Sequence, residues 1–203
     1  MLTPLTFVGD DRALLQALRA GHPGAAAAFY DQHATRISRT LRSTLGADEE
    51  IPDLLQEVFI RALDGIGKVR EVDRLGSWLT TIAIFVARGQ IRRRARRTWL
   101  RTFSPEHATP QHLEQPSSEA RSALREVYDV LNLLPVDERM AFALRYIDGM
   151  TLPDAAEASE TSLATLKRRL VRAEKKFLEA ASQRPVLEHW LEKGTRWNVQ
   201  KQS

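Results

Sequence analysis

The stretch TLPDAAEASETSLATLKRRLVRAEKKFLEAA, residues 151–181, decides the fold. It reads as a short helix, a tight turn and a longer basic helix. Leu163, Leu166, Leu170, Ala173 and Phe177 recur at steps of three and four, which is one apolar face of an α-helix. Thr165, Lys167, Arg168, Arg169, Arg172, Lys175 and Lys176 fill the rest of its circumference. Ser162 precedes the apolar series and predicts an N-cap, because its hydroxyl can accept from the unpaired N–H groups of the first turn. Thr151 predicts the cap of the shorter helix. Pro153 is tolerated in that helix's first turn, where an N–H has no intrahelical partner to lose. Together these form a helix-turn-helix pattern, whose second helix can enter a DNA major groove. The same stretch also fits a helical hairpin with a solvated basic face.

Working outward, the whole chain has the composition of a helical protein. Its 203 residues suffice for one or two small domains, and a hydrophobic content of 43% suffices for a packed core. Ala, Leu, Arg and Glu, all helix formers, dominate. The formal charge is only +4, yet the positive residues are clustered. Arg88, Arg92, Arg93, Arg94, Arg96, Arg97 and Arg101 form a block with no acidic residue between them. With the basic helix above, this gives two separated patches that suit a polyanion. There is no cysteine, hence no disulfide framework and no thiolate metal site. The first residues lack the pattern of a signal peptide, and the apolar run Ile82 to Ala87 is too short to span a bilayer. The expectation is a soluble cytoplasmic protein with no direct membrane insertion.

In chain order, Asp10 or Asp11 predicts the cap of a first helix, closed by Gly21 to Gly24. A second helix is expected from Ala25 to Leu45, with Phe29, His33, Ile37, Leu41 and Leu45 buried and Gly46 as its stop. His33 reads as a satisfied core or boundary histidine, since no cluster of ligands accompanies it. DEEIPDLLQEVFIRAL, residues 48–63, predicts a third helix whose Leu54, Leu55, Val58 and Ala62 face inward. Asp53, Gln56 and Glu57 share another face, either plain solvated surface or a docking face for a partner. A loop, 64–76, carries glycines without phosphate-binding spacing. A fourth helix from about Ser77 runs into the arginine block. Thr102 to Ser118 holds three prolines and no clear period, which reads as a flexible linker. Beyond it, a helix from Glu119 to Leu134 precedes one that Pro135 opens and Gly149 closes. After the helix-turn-helix, Val186, Leu187, Trp190 and Leu191 suggest one further short amphipathic helix.

These motifs, in this order, resemble the small sigma factors of bacterial RNA polymerase, the extracytoplasmic-function (ECF) type of the sigma-70 family. DLLQEVFIRAL resembles their region 2.2, SWLTTIAIFVARGQIRRRARR their regions 2.3 and 2.4, and LNLLPVDERMAFALRYIDGMTLPDAAEASETSLATLKRRLVRAEKKF their region 4. The resemblance implies an all-α fold of two small helical domains. The first would span 10–101, the linker 102–118, the helix-turn-helix domain 119–182 and a C-terminal extension 183–203. It implies that Asp53, Gln56 and Glu57 bind core RNA polymerase. It also implies that Lys167, Arg168, Val171 and Arg172 contact promoter DNA, and it gives Arg92, Arg93, Arg94, Arg96 and Arg97 the DNA backbone. The loop from Gly65 to Gly76 lies where the family captures a flipped base. An anti-sigma factor is the further partner implied. Ile84-Phe85 stands where the family often has Arg-Asn, Gly89 where it has Asp, and Glu160 at the turn glycine. A left-handed Glu160 would carry strain of about one to two kcal/mol.

The function expected is promoter recognition as a polymerase subunit, with no cofactor and no catalytic chemistry. The chain offers no nucleophile–base set, no metal cluster and no phosphate loop. Two other readings stay open: a stand-alone helix-turn-helix regulator, which leaves the Asp53 face and the arginine block unexplained, and a sigma-like protein-interaction module.

Overall fold

A computed structural model describes residues 7, 9–69, 71–103 and 119–187, and every regular element among them is helical. Helix α1 (Asp11–Arg19) starts where the Asp10 carboxylate accepts from the Ala13 N–H at 2.8 Å. Helix α2 (Ala25–Leu45) has the expected bounds and ends at Gly46, whose φ of +90° is open to glycine. Helix α3 spans Ile51–Gly65, and two 3-10 turns, Ile66–Lys68 and Val72–Arg74, lead into α4 (Leu75–Phe103). The expected linker therefore begins inside α4, and its remainder lies outside the described residues.

Helix α5 covers Glu119–Asn132 and α6 covers Val136–Phe142. Pro135 sits one position earlier than expected, as the N-cap with extended ψ, not as the first helical residue. After Phe142 the chain widens into a π-helical turn, Ala143–Ile147, closed by Asp148 N–H to Ala143 C=O at 2.9 Å. The sequence reading missed this turn, since one extra residue per turn leaves no mark on a period of three and four. Helices α7 (Leu152–Ala158) and α8 (Leu163–Ala181) form the helix-turn-helix. Thr151 and Ser162 cap them, accepting from Asp154 N–H and Thr165 N–H. The turn does place Glu160 at φ +50°. Of the expected C-terminal helix only the first turn, 185–187, is described. Its Leu187 is buried against α5 and α8.

Two clusters make the core. The smaller joins Val130, Leu131 and Leu134 to Phe142, Ala173 and Phe177, with the two phenyl rings stacked 4.6 Å apart. The larger holds α1 to α4 together, then continues through Met140, Leu144, Ala155, Leu166 and Leu170. So the apolar face of α8 is divided: Leu166 and Leu170 join the larger cluster, and Ala173, Phe177 and Ala181 the smaller. Leu163, expected on the same face, is exposed instead.

A polar seam accompanies this docking of the two halves. Arg139 is 4% exposed. Its guanidinium donates twice to the Thr44 carbonyl, at 3.2 and 3.0 Å, and once to Asn132 Oδ1. Burial lowers the Arg139 pKa to about 10, with the nearby Arg94 charge acting the same way. Tyr128 OH donates to the carbonyls of Arg42 (2.9 Å) and Ser43 (3.0 Å), and burial raises its pKa to about 12. These bonds satisfy the Ser43 and Thr44 carbonyls in the last turn of α2 and add to the Arg42 carbonyl, which also accepts from the Gly46 N–H. The ring of Tyr128 also lies where a Cβ on Gly46 would come within 3.0 Å. The π-helical turn delivers Asp148 to α2, where its carboxylate accepts from Thr40 Oγ1 at 3.2 Å and lies 3.5 Å from Arg39.

Candidate nucleic-acid interface

On α8 the outward residues separate into two groups. Arg169 is 3.0 Å from Asp137 of α6, while Arg172 and Lys176 lie 3.8 and 2.8 Å from Glu138. These pairs hold the flank of α8 against α6. Lys167, Arg168 and Val171 point away from the protein, and Val171 is 64% exposed. Arg168 reaches Thr165 Oγ1 at 3.2 Å, one turn back. An apolar residue between cations, on the N-terminal half of an accessible helix, can read base edges while the cations hold phosphates. Arg172, expected in the same role, is exposed but drawn toward Glu138.

The arginine block on α4 is less uniform than the sequence implied. No acid lies within it, but the fold brings acids to it from elsewhere. Arg94 meets Asp48 and Glu50 at the start of α3, the latter at 2.6 Å, and this hydrogen bond lowers the Glu50 pKa. Arg93 lies 3.8 Å from Glu57, and Arg88 lies 3.4 Å from Asp137 across the seam. Arg92, Arg96 and Arg97 are exposed and have no ion pair among the described residues. Among the described side chains, these three are the members of the block left for an outside anion.

The face of α3 carrying Asp53, Gln56 and Glu57 is open, with Asp53 and Gln56 exposed. Glu57 is half-buried, tied to Arg61 at 2.6 Å as well as to Arg93. Two residues the sequence reading passed over extend this face: Ile60 and Leu63 are 53% and 37% exposed. Ile60 lies four residues from Gln56 and three from Glu57, and Leu63 three beyond Ile60, which was the available signal. Trp78 is half-buried, packed on the larger core cluster and against Gly65. The loop between α3 and α4 is anchored by buried Ile66, Val69 and Leu75, and the Val69 carbonyl accepts from Arg19.

His33 faces Phe29 edge-on at 5.1 Å. It is a boundary residue as expected, but not a satisfied one: its Nε2 is buried without a hydrogen-bond partner. Among the described residues no three His, Asp or Glu groups could hold a metal, and no helix is long and apolar enough to cross a membrane.

Family comparison separates the two halves at the same place. The family model for sigma-70 region 2 matches residues 29–97, and that for sigma-70 region 4 matches residues 124–177. The chain belongs to the sigma-70 family. It is 27% identical to the ECF RNA polymerase sigma-E factor of Haemophilus influenzae over 172 residues, 80% of this chain and 90% of that protein. The Escherichia coli K12 sigma-E factor is 25% identical over 179 residues, with the same coverage. Among solved structures, CnrH in complex with the cytosolic domain of CnrY aligns with a TM-score of 0.56 at 22% identity, covering 91% of this chain and 99% of that one. The sigma factor RpoE in complex with the anti-sigma factor NepR from Bartonella quintana aligns at 0.57 and 22%, covering 76% and 94%. At such identities the likeness speaks for the fold. In sigma-70 terms, α2 to α4 are region 2 and α5 to α8 are region 4.

Proposed function

We propose that this sigma factor works as the promoter-reading subunit of RNA polymerase, in the cytoplasm and without catalytic chemistry of its own. The observation that carries the reading is the presence of regions 2 and 4 in order in one chain. A stand-alone regulator would need only the second.

Residue roles follow from exposure and partners. Asp53 and Gln56, with the neighbouring Ile60 and Leu63, form the face that docks on core polymerase. Glu57 supports it by holding Arg61 and Arg93 in place. Lys167, Arg168 and Val171 read the upstream promoter element, with Arg172 on the adjoining backbone. Arg92, Arg96 and Arg97 hold the backbone near the downstream element, while Arg94 braces the start of α3 and Arg93 lies beside Glu57 in its middle. An anti-sigma factor is the regulatory partner, as the NepR and CnrY complexes of similarly folded proteins suggest.

The test is reconstituted transcription with core polymerase and a promoter fragment, scored as run-off product. Replacing Asp53 and Gln56 together by Ala should abolish both polymerase binding and transcript. Both side chains are exposed, so thermal stability should stay within about 0.5 kcal/mol. Full polymerase binding by that variant would overturn the assignment of the face.

A further inference from the structure

Leu124 of α5 is 49% exposed, and it lies at the edge of an open groove of about 690 Å³. The groove runs where α5 and the π-helical turn meet α2 and α3. Leu55 of α3 and Ala34 and Ala47, in and just beyond α2, supply apolar surface from one half of the molecule. Leu124, Tyr128 and Ile147 supply it from the other. The Tyr128 hydroxyl is already engaged by the Arg42 and Ser43 carbonyls, so what this residue offers a ligand is its ring. A volume of this size falls within the roughly 300–1,000 Å³ of small-molecule sites. Such sites favour domain interfaces and combine apolar walls with a few placed polar groups.

The charge in the groove has one sign. Arg39 and Arg42 line it, and no acidic residue does among the described residues. Arg39 already lies 3.5 Å from the Asp148 carboxylate. Arg42 is exposed and has no ion pair among the described residues. Its Nε donates to Ser38 Oγ at 3.3 Å, one turn back on the same helix. That bond steadies the guanidinium and leaves both terminal nitrogens open. Two N–H groups side by side on a planar cation match the two oxygens of a carboxylate. The groove therefore joins a prepared carboxylate contact to an apolar trough.

We propose that this groove binds a small amphipathic carboxylate, with its head on Arg42 and an aliphatic body along Leu55, Leu124, Tyr128 and Ile147. Charge selects the class. A neutral amphiphile of the same length covers the walls but leaves Arg42 without a partner, and a cationic one is repelled. The walls come from both halves of the molecule, so separating the halves takes the site apart. A ligand held there favours the closed arrangement by the ratio of its affinities for the closed and open forms. The site goes beyond the sigma-factor reading and does not depend on it: it gives the docking of the two halves a small-molecule input.

The experiment is a calorimetric titration of the full chain with decanoate, kept below the concentration at which it forms micelles. Decanol and decyltrimethylammonium are titrated beside it. The expected result is saturable binding of decanoate, about tenfold tighter than of either control. Arg42→Gln should lose about tenfold in affinity for decanoate and little for decanol. Leu124→Glu, which sets an acid in the trough, should lose more. Both side chains are exposed, and thermal melts confirm that the variants fold. Decanoate should also raise the melting temperature of the parent and not that of Leu124→Glu. No binding by the parent, equal binding of the three amphiphiles, or decanoate binding unchanged in Arg42→Gln and Leu124→Glu overturns the site. Sedimentation is run without ligand: a dimer of the parent that Leu124→Glu dissolves gives the groove to a second copy of the chain, which also overturns it.

Discussion

Arg139→Met should loosen the closed arrangement of the two halves while leaving both folded. The aliphatic stem keeps most of its packing, but the guanidinium's two bonds to the Thr44 carbonyl, at 3.2 and 3.0 Å, disappear. Hydrogen bonds to a charged group contribute about 1.5–3 kcal/mol each, so the two seam bonds amount to roughly 3–6 kcal/mol. Against this, the variant no longer buries a charge. The fall of the Arg139 pKa from 12.5 to about 10, caused first by burial, sets that relief at roughly 3 kcal/mol. The difference centres on a loss of about 1.5 kcal/mol in docking, or about tenfold in the ratio of closed to open molecules. The chain has no cysteine, so a dye pair can be placed cleanly at Gln16→Cys and Gln183→Cys, both exposed and in opposite halves. In a urea titration, energy transfer between the dyes should be lost at lower denaturant than in the parent, ahead of the loss of helicity by circular dichroism. Asn132→Ala removes the third bond, which lies within the second half, and should leave the energy-transfer midpoint in place. An Arg139→Met midpoint within about 0.5 kcal/mol of the parent would refute the reasoning.

Three further outcomes are expected. Leu166→Ala should cost about 2–5 kcal/mol and Leu163→Ala less than about 0.5 kcal/mol in chemical denaturation, since only the first is buried. Glu160→Gly should stabilise by about 1 kcal/mol or less in a thermal melt: relief of the left-handed conformation outweighs the entropy that glycine adds to the unfolded chain. Burial, chiefly, holds the His33 pKa below its ordinary 6.5. The unfolded chain therefore takes up a proton before the folded one, and stability should decline as pH falls through and below 6.5. His33→Phe should flatten that decline in denaturation curves at about pH 7.5 and about pH 5.5.

Much of this was legible in the sequence because helices announce themselves by period and punctuation. Asp10, Thr151 and Ser162 cap the helices they were expected to cap, and Gly46 ends α2 where its positive φ is needed. Long-range pairing was not legible. The arginine block reads as unopposed because Asp48, Glu50, Glu57 and Asp137 come from other helices, tens of positions away. For the same reason Leu163 and Leu166 look alike on a helical wheel, though only Leu166 is buried in the core. The docking of the halves had no sequence signature at all. It depends on Arg139 and Asp148, which read as ordinary charged positions of a surface helix until the π-helical turn and the end of α2 surround them.

Asp137 gives that docking an unusual chemistry. One carboxylate lies beside Arg88 of region 2 and Arg169 of region 4 together, at 3.4 and 3.0 Å. One carboxylate thus clips the two halves together, and because both pairs are only partly buried, added salt screens them together. The urea midpoint of the energy-transfer signal should accordingly fall with salt in the parent and less so in Asp137→Ala.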